Sequence, residues 1–225
     1  MHKILTPACL AATGLAIALI SSSNPAESQA SAASMGTYAV TVTNLTRGQI
    51  FSPALVATHR GGASVFAPGT PASPELQALA EDGNNALLFA QLATDASVLD
   101  VRSGAGMLFP GMSETILIQA DASHPLISMA AMLVSTNDAF LGLDRQFLPL
   151  RGGEYLVNAY DAGTELNSEN CAFIPGPPCG SGGVHDPAAA EGFVYVSNGL
   201  HGLGGLAPET YDWRGPVAKV TIVRQ

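Results

Sequence analysis

The segment Thr37-Tyr38-Ala39-Val40-Thr41-Val42-Thr43-Asn44 alternates apolar and polar side chains, and Val217 to Val223 repeats that character close to the end of the chain. A period of two puts every second side chain on one face, so each segment reads as a half-buried β-strand. Between them the chain offers further strand-length runs: Ser52 to His59, Glu114 to Ala120, Leu126 to Val134, Leu141 to Leu148, Tyr155 to Ala159 and Glu191 to Val196. Turn residues separate these runs, and from Val98 onward none has the length of a helix. Short strands, turn signals and matching first and last strands predict a mainly β protein built as an antiparallel sandwich. One or two short helices interrupt the pattern. Pro74 suits a first helical position ahead of Glu75 to Glu81, with Gly83 as its stop. Asn85 to Leu92 reads as a second helical piece, with Leu87, Leu88, Gln91 and Leu92 on one face.

The first 32 residues read as a secretory signal peptide. Lys3 provides the positive end, Ala8 to Ile20 is apolar and uncharged, and Ala30-Ser31-Ala32 is an A-x-A-type cleavage site. The apolar part is shorter than the ~20 residues that span a bilayer, and no later run approaches that length. Residues 33–225 then form one domain, secreted or periplasmic. Cys171 and Cys179 are the two cysteines outside the leader, and together they close a proline-rich loop. In an oxidising compartment they read as a disulfide. The rival metal-pair reading lacks zinc-knuckle spacing and a second cysteine pair.

The formal charge of −9 argues against nucleic-acid partners. No basic stripe is available to neutralise a phosphate backbone, and direct attraction to anionic lipid has no better support. Nucleophilic catalysis also finds little. There is no G-x-S-x-G, and His59, His124, His185 and His201 stand in neither H-E-x-x-H nor any close ligand pair. A secreted hydrolase with an Asp/His site around His185 or His201 stays open as an alternative, but the expectation is a non-enzymatic protein.

The acidic residues are more informative. Asp138 precedes an apolar strand, Asp144 ends the first part of it, and Asp161 follows the strand that ends at Tyr160. Each can be explained as a turn residue satisfying loop amides. Taken together, three carboxylates at strand ends fit a hard cation, and Ca2+ accepts oxygens from carboxylates, amides, carbonyls and water. An EF-hand loop is absent.

Several passages resemble the spondin N-terminal domain family, of the F-spondin and mindin type. They are Ser52 through His59, Ala80-Glu81-Asp82-Gly83, His124 through Asp144, Tyr160-Asp161-Ala162-Gly163-Thr164, and Pro216 through Thr221. The region from Gly192 to Trp213 and the cysteine loop look like a stand-alone bacterial branch. The resemblance implies a β-sandwich similar in shape to C2 domains, with one Ca2+ at its edge. By position it assigns the ion to Asp138, Asp161 and the carbonyl of Val134, with Gln119 where the family has a glutamate. Asp144 and Glu165 are the nearest acids able to replace the missing charge. The implied role is a secreted calcium-binding recognition or adhesion module contacting a protein or glycan at the cell surface. A structural envelope protein with a purely stabilising ion is the other non-enzymatic reading.

Overall fold

A computed structural model describes residues 35–225, so the proposed leader and its cleavage site lie outside the described residues. Ten strands and three short helices follow in chain order: β1 Gly36–Asn44, β2 Leu55–His59, α1 Pro74–Asp82, α2 Ala86–Thr94, β3 Val98–Ser103, β4 Ser113–Ala120, β5 Leu126–Met132, β6 Ala139–Phe147, β7 Gly153–Val157, β8 Ala159–Asp161, β9 Tyr195–Val196, α3 Pro208–Tyr211 and β10 Ala218–Arg224. One sheet has the order β4-β1-β10-β7, and the other β3-β2-β5-β6-β8-β9. Every pairing is antiparallel.

The alternation in β1 determines its place. Val40 and Val42 are buried, while Thr41 and Thr43 point outward and share hydroxyl contacts of 2.7 and 2.8 Å with Thr115 and Ser113 on β4. The first and last strands of the domain pair directly, from Tyr38 opposite Arg224 to Asn44 opposite Ala218. This closes the four-stranded sheet around the two segments whose patterns match best.

β5 is buried along its whole length because both of its faces are covered. Ile127, Met129 and Ala131 point into the core between the sheets. Ala130 points the other way, into a second core with Leu76, Leu79, Leu88 and Leu92 of the helices. The molecule therefore has three layers over part of its area, and a continuous apolar run is the sequence signature of such a doubly covered strand.

α1 starts where the sequence suggests. The Ser73 side chain accepts the Leu76 N–H at 3.2 Å, Pro74 takes the first turn, and Gly83 adopts φ +66° to end the helix. In α2 the buried residues are Leu88 and Leu92, whereas Leu87 and Gln91 face outward. The apolar face is narrower than the sequence reading gave it. The segment 191–196 differs more. Only Tyr195 and Val196 join a ladder, since Gly192 bonds to Gly163 and the Val194 N–H goes to Thr70 in a loop.

Candidate metal centre

The Ser135-Thr136-Asn137-Asp138 turn links β5 to β6 and is held by its own side chains. The Thr136 hydroxyl donates to the Leu133 carbonyl at 2.6 Å and accepts the Ala139 N–H at 3.0 Å. This local cap leaves Asp138 at the mouth of β6, fully buried. Asp161 ends β8, and the register sets it directly opposite Ala139, so the two aspartates come from adjacent strands.

The surroundings of the pair are uneven. Asp138 Oδ2 accepts the N–H groups of Thr164 and Glu165 at 2.7 and 3.1 Å, and the Thr164 hydroxyl at 3.2 Å. Its Oδ1 is buried with no hydrogen-bond partner. Asp161 Oδ1 accepts the Gly163 N–H at 2.8 Å, and Oδ2 accepts from the Asn167 amide at 2.7 Å. Gly163 is required for this turn. Its φ is +66°, and a Cβ there would lie 2.3 Å from the Phe193 carbonyl oxygen.

Burial pushes the Asp138 carboxyl well above the usual carboxylate range, and the charge of Asp161 pushes it further. Burial raises Asp161 as well, against the hydrogen bonds from Asn167 and Gly163, with Glu191 adding a second repulsion. Two buried carboxyls close enough to repel one another either take up a proton or need a cation to stay ionised. The orphaned Asp138 oxygen is the atom such a cation would use. Among the described residues no group of three or more His, Cys, Asp or Glu side chains is arranged to hold a metal. Two carboxylates would be the acidic part of a site here, and hard-cation coordination would be completed by neutral oxygens or water.

Glu165 comes near without joining them. Its backbone N–H bonds Asp138, while its carboxylate turns to the Asn137 amide at 3.2 Å and the Asp186 N–H at 2.8 Å. Its second oxygen is buried and unpartnered, and burial raises its pKa. Val134, expected to offer its carbonyl, already uses one lone pair of it. Its carbonyl accepts the Gly176 N–H at 2.7 Å, so it faces the disulfide loop.

Gln119 and Asp144 lie elsewhere. The Gln119 carbonyl accepts the Thr58 hydroxyl at 2.6 Å, and its amide donates to the Thr37 hydroxyl at 3.0 Å. Thr58 stands opposite Ile127, whereas Asp138 is next to the Leu133–Ala139 bond at the far end of β5. Six residues at about 3.3 Å each separate these positions by about 20 Å. Asp144 belongs to the Gln119 end. It accepts from the Ser128 hydroxyl at 3.1 Å, and that hydroxyl also lies 2.8 Å from His59 Nε2. The expected sharing of one ion by Gln119 or Asp144 with Asp138 is therefore not compatible with the register.

The histidines have separate settings too. His185 Nδ1 lies 3.1 Å from Glu81, and Nε2 lies 3.0 Å from Asp82, pinning the loop to the end of α1. Burial opposes its protonation, but the Asp82 hydrogen bond and the charges of Glu81, Asp82 and Glu165 raise its pKa on balance. A partner 103 residues away leaves no trace in the sequence. His201 faces a different carboxylate, that of Glu169, at 3.7 Å. Cys171 and Cys179 are joined as a disulfide, and among the described residues no helix is long and apolar enough to cross a membrane.

A comparison with curated proteins finds no match. The family model described as Spondin_N matches residues 41–168, more than half of the 225-residue chain. The matched span runs from the end of β1 through β8 and includes the Asp138 turn and the Asp161 turn. The chain belongs to the Spondin_N family.

Proposed function

We propose that this is an extracellular recognition module in which one Ca2+, held by Asp138 and Asp161, stiffens an edge of the sandwich. The observation carrying the metal is the buried, unpartnered Oδ1 of Asp138 beside a second buried carboxylate. A calcium ion would supply the missing partner and cancel the repulsion within the pair. With only two acids it would be held loosely, in the range suited to the millimolar calcium outside cells. Export is supported by the disulfide and by family membership.

The ion's role would be to order rather than to react. The Asp138 turn, the Asp161–Glu165 turn and β9 meet at this edge, so filling the site fixes three loop segments together. The two histidines named for a hydrolase each have their own carboxylate, and among the described residues no histidine is hydrogen-bonded to the aspartate pair. The arrangement favours binding over acid–base chemistry.

Pull-down from the surface of the producing cell provides the test. The wild-type protein should recover a partner in calcium and lose it in chelator. The Asp138→Asn/Asp161→Asn variant should fold and recover none. Recovery unchanged by chelator and by the variant would defeat the link between the ion and recognition.

A further inference from the structure

The only tryptophan of the chain stands between two cavities, of 670 and 290 Å3, and both are lined by Trp213 and Arg214. The indole packs on the main core and also on the small core around Ile174, Leu200 and Leu206, so its plane is fixed from behind. The indole is only partly buried, and its N–H makes no hydrogen bond among the described residues. Arg47 and Glu209 line the larger cavity, and Asn158 and Asn198 the smaller. The side chains of Arg214, Asn158 and Asn198 likewise have no partner among the described residues.

The walls are built rather than loose. Arg47 Nη1 donates to the Glu209 carbonyl, and Gln49 Nε2 donates to the Tyr211 carbonyl at 2.9 Å, tying the 46–49 turn to α3. Asp212 Oδ1 accepts the Leu200 N–H at 3.0 Å and fixes the 198–200 loop against the same helix. Trp213, Arg214, Glu209 and Asn198 all lie beyond the residues matched by the family model. The matched residues contribute Arg47 and Asn158 to the same cleft.

Its chemistry selects a ligand class. Two arginines are offset by the carboxylates of Glu209 and Asp212, which removes any preference for a net charge. What remains is an aromatic side chain bordered by exposed amide, guanidinium and carboxylate groups. Such groups pair with vicinal hydroxyls, and the apolar C–H face of a pyranose ring matches the electron-rich face of an indole. We infer that the cleft around Trp213 binds a neutral oligosaccharide, with a sugar ring on the indole and its hydroxyls held by Arg214, Asn158 and Asn198. This names a ligand for the recognition role and does not require the calcium ion.

A single tryptophan gives a direct readout. Neutral disaccharides of glucose, galactose and mannose, with inorganic sulfate as control, are titrated while Trp213 emission is recorded, in calcium and in chelator. At least one disaccharide should change the emission saturably, with half-saturation near about 1 mM, equally in both buffers. Arg214→Ala and Asn158→Ala/Asn198→Ala alter exposed side chains and should melt like wild type, while weakening that saccharide about tenfold or more. No saturable response to any disaccharide would overturn the inference. So would an equal response to sulfate, unchanged affinity in the folded variants, or a response that vanishes with chelator. If the sugar binds while calcium leaves melting unchanged, the metal reading fails alone. If the pull-down depends on calcium while no sugar binds, the cleft fails alone.

Discussion

The two ends of the six-stranded sheet treat acidic side chains in opposite ways. At one end Ser128 is shared by His59, Asp144 and the Arg145 N–H, with distances of 2.8, 3.1 and 2.9 Å. His59 uses its other ring nitrogen on the Arg60 carbonyl at 2.9 Å, and Asp144 also meets the Val65 N–H at 3.3 Å and Arg145 at 3.7 Å. The network accompanies a bulge between Ile127 and Met129, where the β5–β6 register shifts. At the other end Asp138 and Asp161 repel one another, and one carboxylate oxygen has no partner. A saturated network stabilises the fold and has no vacancy for a ligand. A buried pair left short of compensation weakens the bare protein and suits an ion. The difference between these acids lies in what surrounds them, since Asp138 immediately precedes β6 and Asp144 lies within it.

The largest effect expected from this contrast is on calcium response. At calcium one hundred times its Kd the wild-type protein should gain about 2.7 kcal/mol, or a Tm rise of about 5–10 °C for a domain of this size. Melting with calcium and with chelator checks this, and Asp138→Asn/Asp161→Asn should abolish the rise. Next in size is Ser128→Ala. It strands His59, Asp144 and the Arg145 N–H together, so denaturant unfolding should show a loss of about 1–3 kcal/mol. Its calcium-induced rise in Tm should match that of the wild type.

A pH comparison probes the aspartate end from another side. Both carboxyls are raised in the folded protein, so without calcium the folded state binds more protons than the unfolded one above the ordinary carboxylate range. Stability should then fall as pH rises through that window. The chelated wild type should melt lower at about pH 8 than at about pH 5, and Asp138→Asn should flatten the difference. Calcium should narrow it too, because the ion takes the ionised form. The smallest effect belongs to Gln119→Ala. Losing its amide contact with Thr37 should cost about 1 kcal/mol or less, with calcium response unchanged in the same melts.

Much of this fold is legible in the sequence because local rules suffice. Ser73, Pro74 and Gly83 bound α1, and the alternation of Tyr38, Val40 and Val42 sets the inner face of β1. The pairing of Asp138 with Asp161 comes from the family resemblance, since local rules group Asp144 with them equally well. Strand order is where legibility stops. Nothing near Gln119 tells that β4 is an edge strand whose Gln119 carbonyl meets Thr58, at the end of the molecule remote from Asp138. Glu191 to Val196 has strand composition, yet Gly192 at φ +82° and bonds to Gly163 and Thr70 keep most of it out of the sheet. The latch of His185 on Glu81 and Asp82 depends on a loop folding back over α1, and no short-range signal encodes it.

The central claim is that the ion belongs to the end where acid is uncompensated. A crystal structure grown in calcium, with the cation located by its anomalous scattering, tests this most directly. The account predicts one ion with Asp138 Oδ1 and an Asp161 oxygen among its ligands, at about 2.4 Å. An ion on Asp144 or Gln119 instead, or an aspartate pair without metal at saturating calcium, would contradict it.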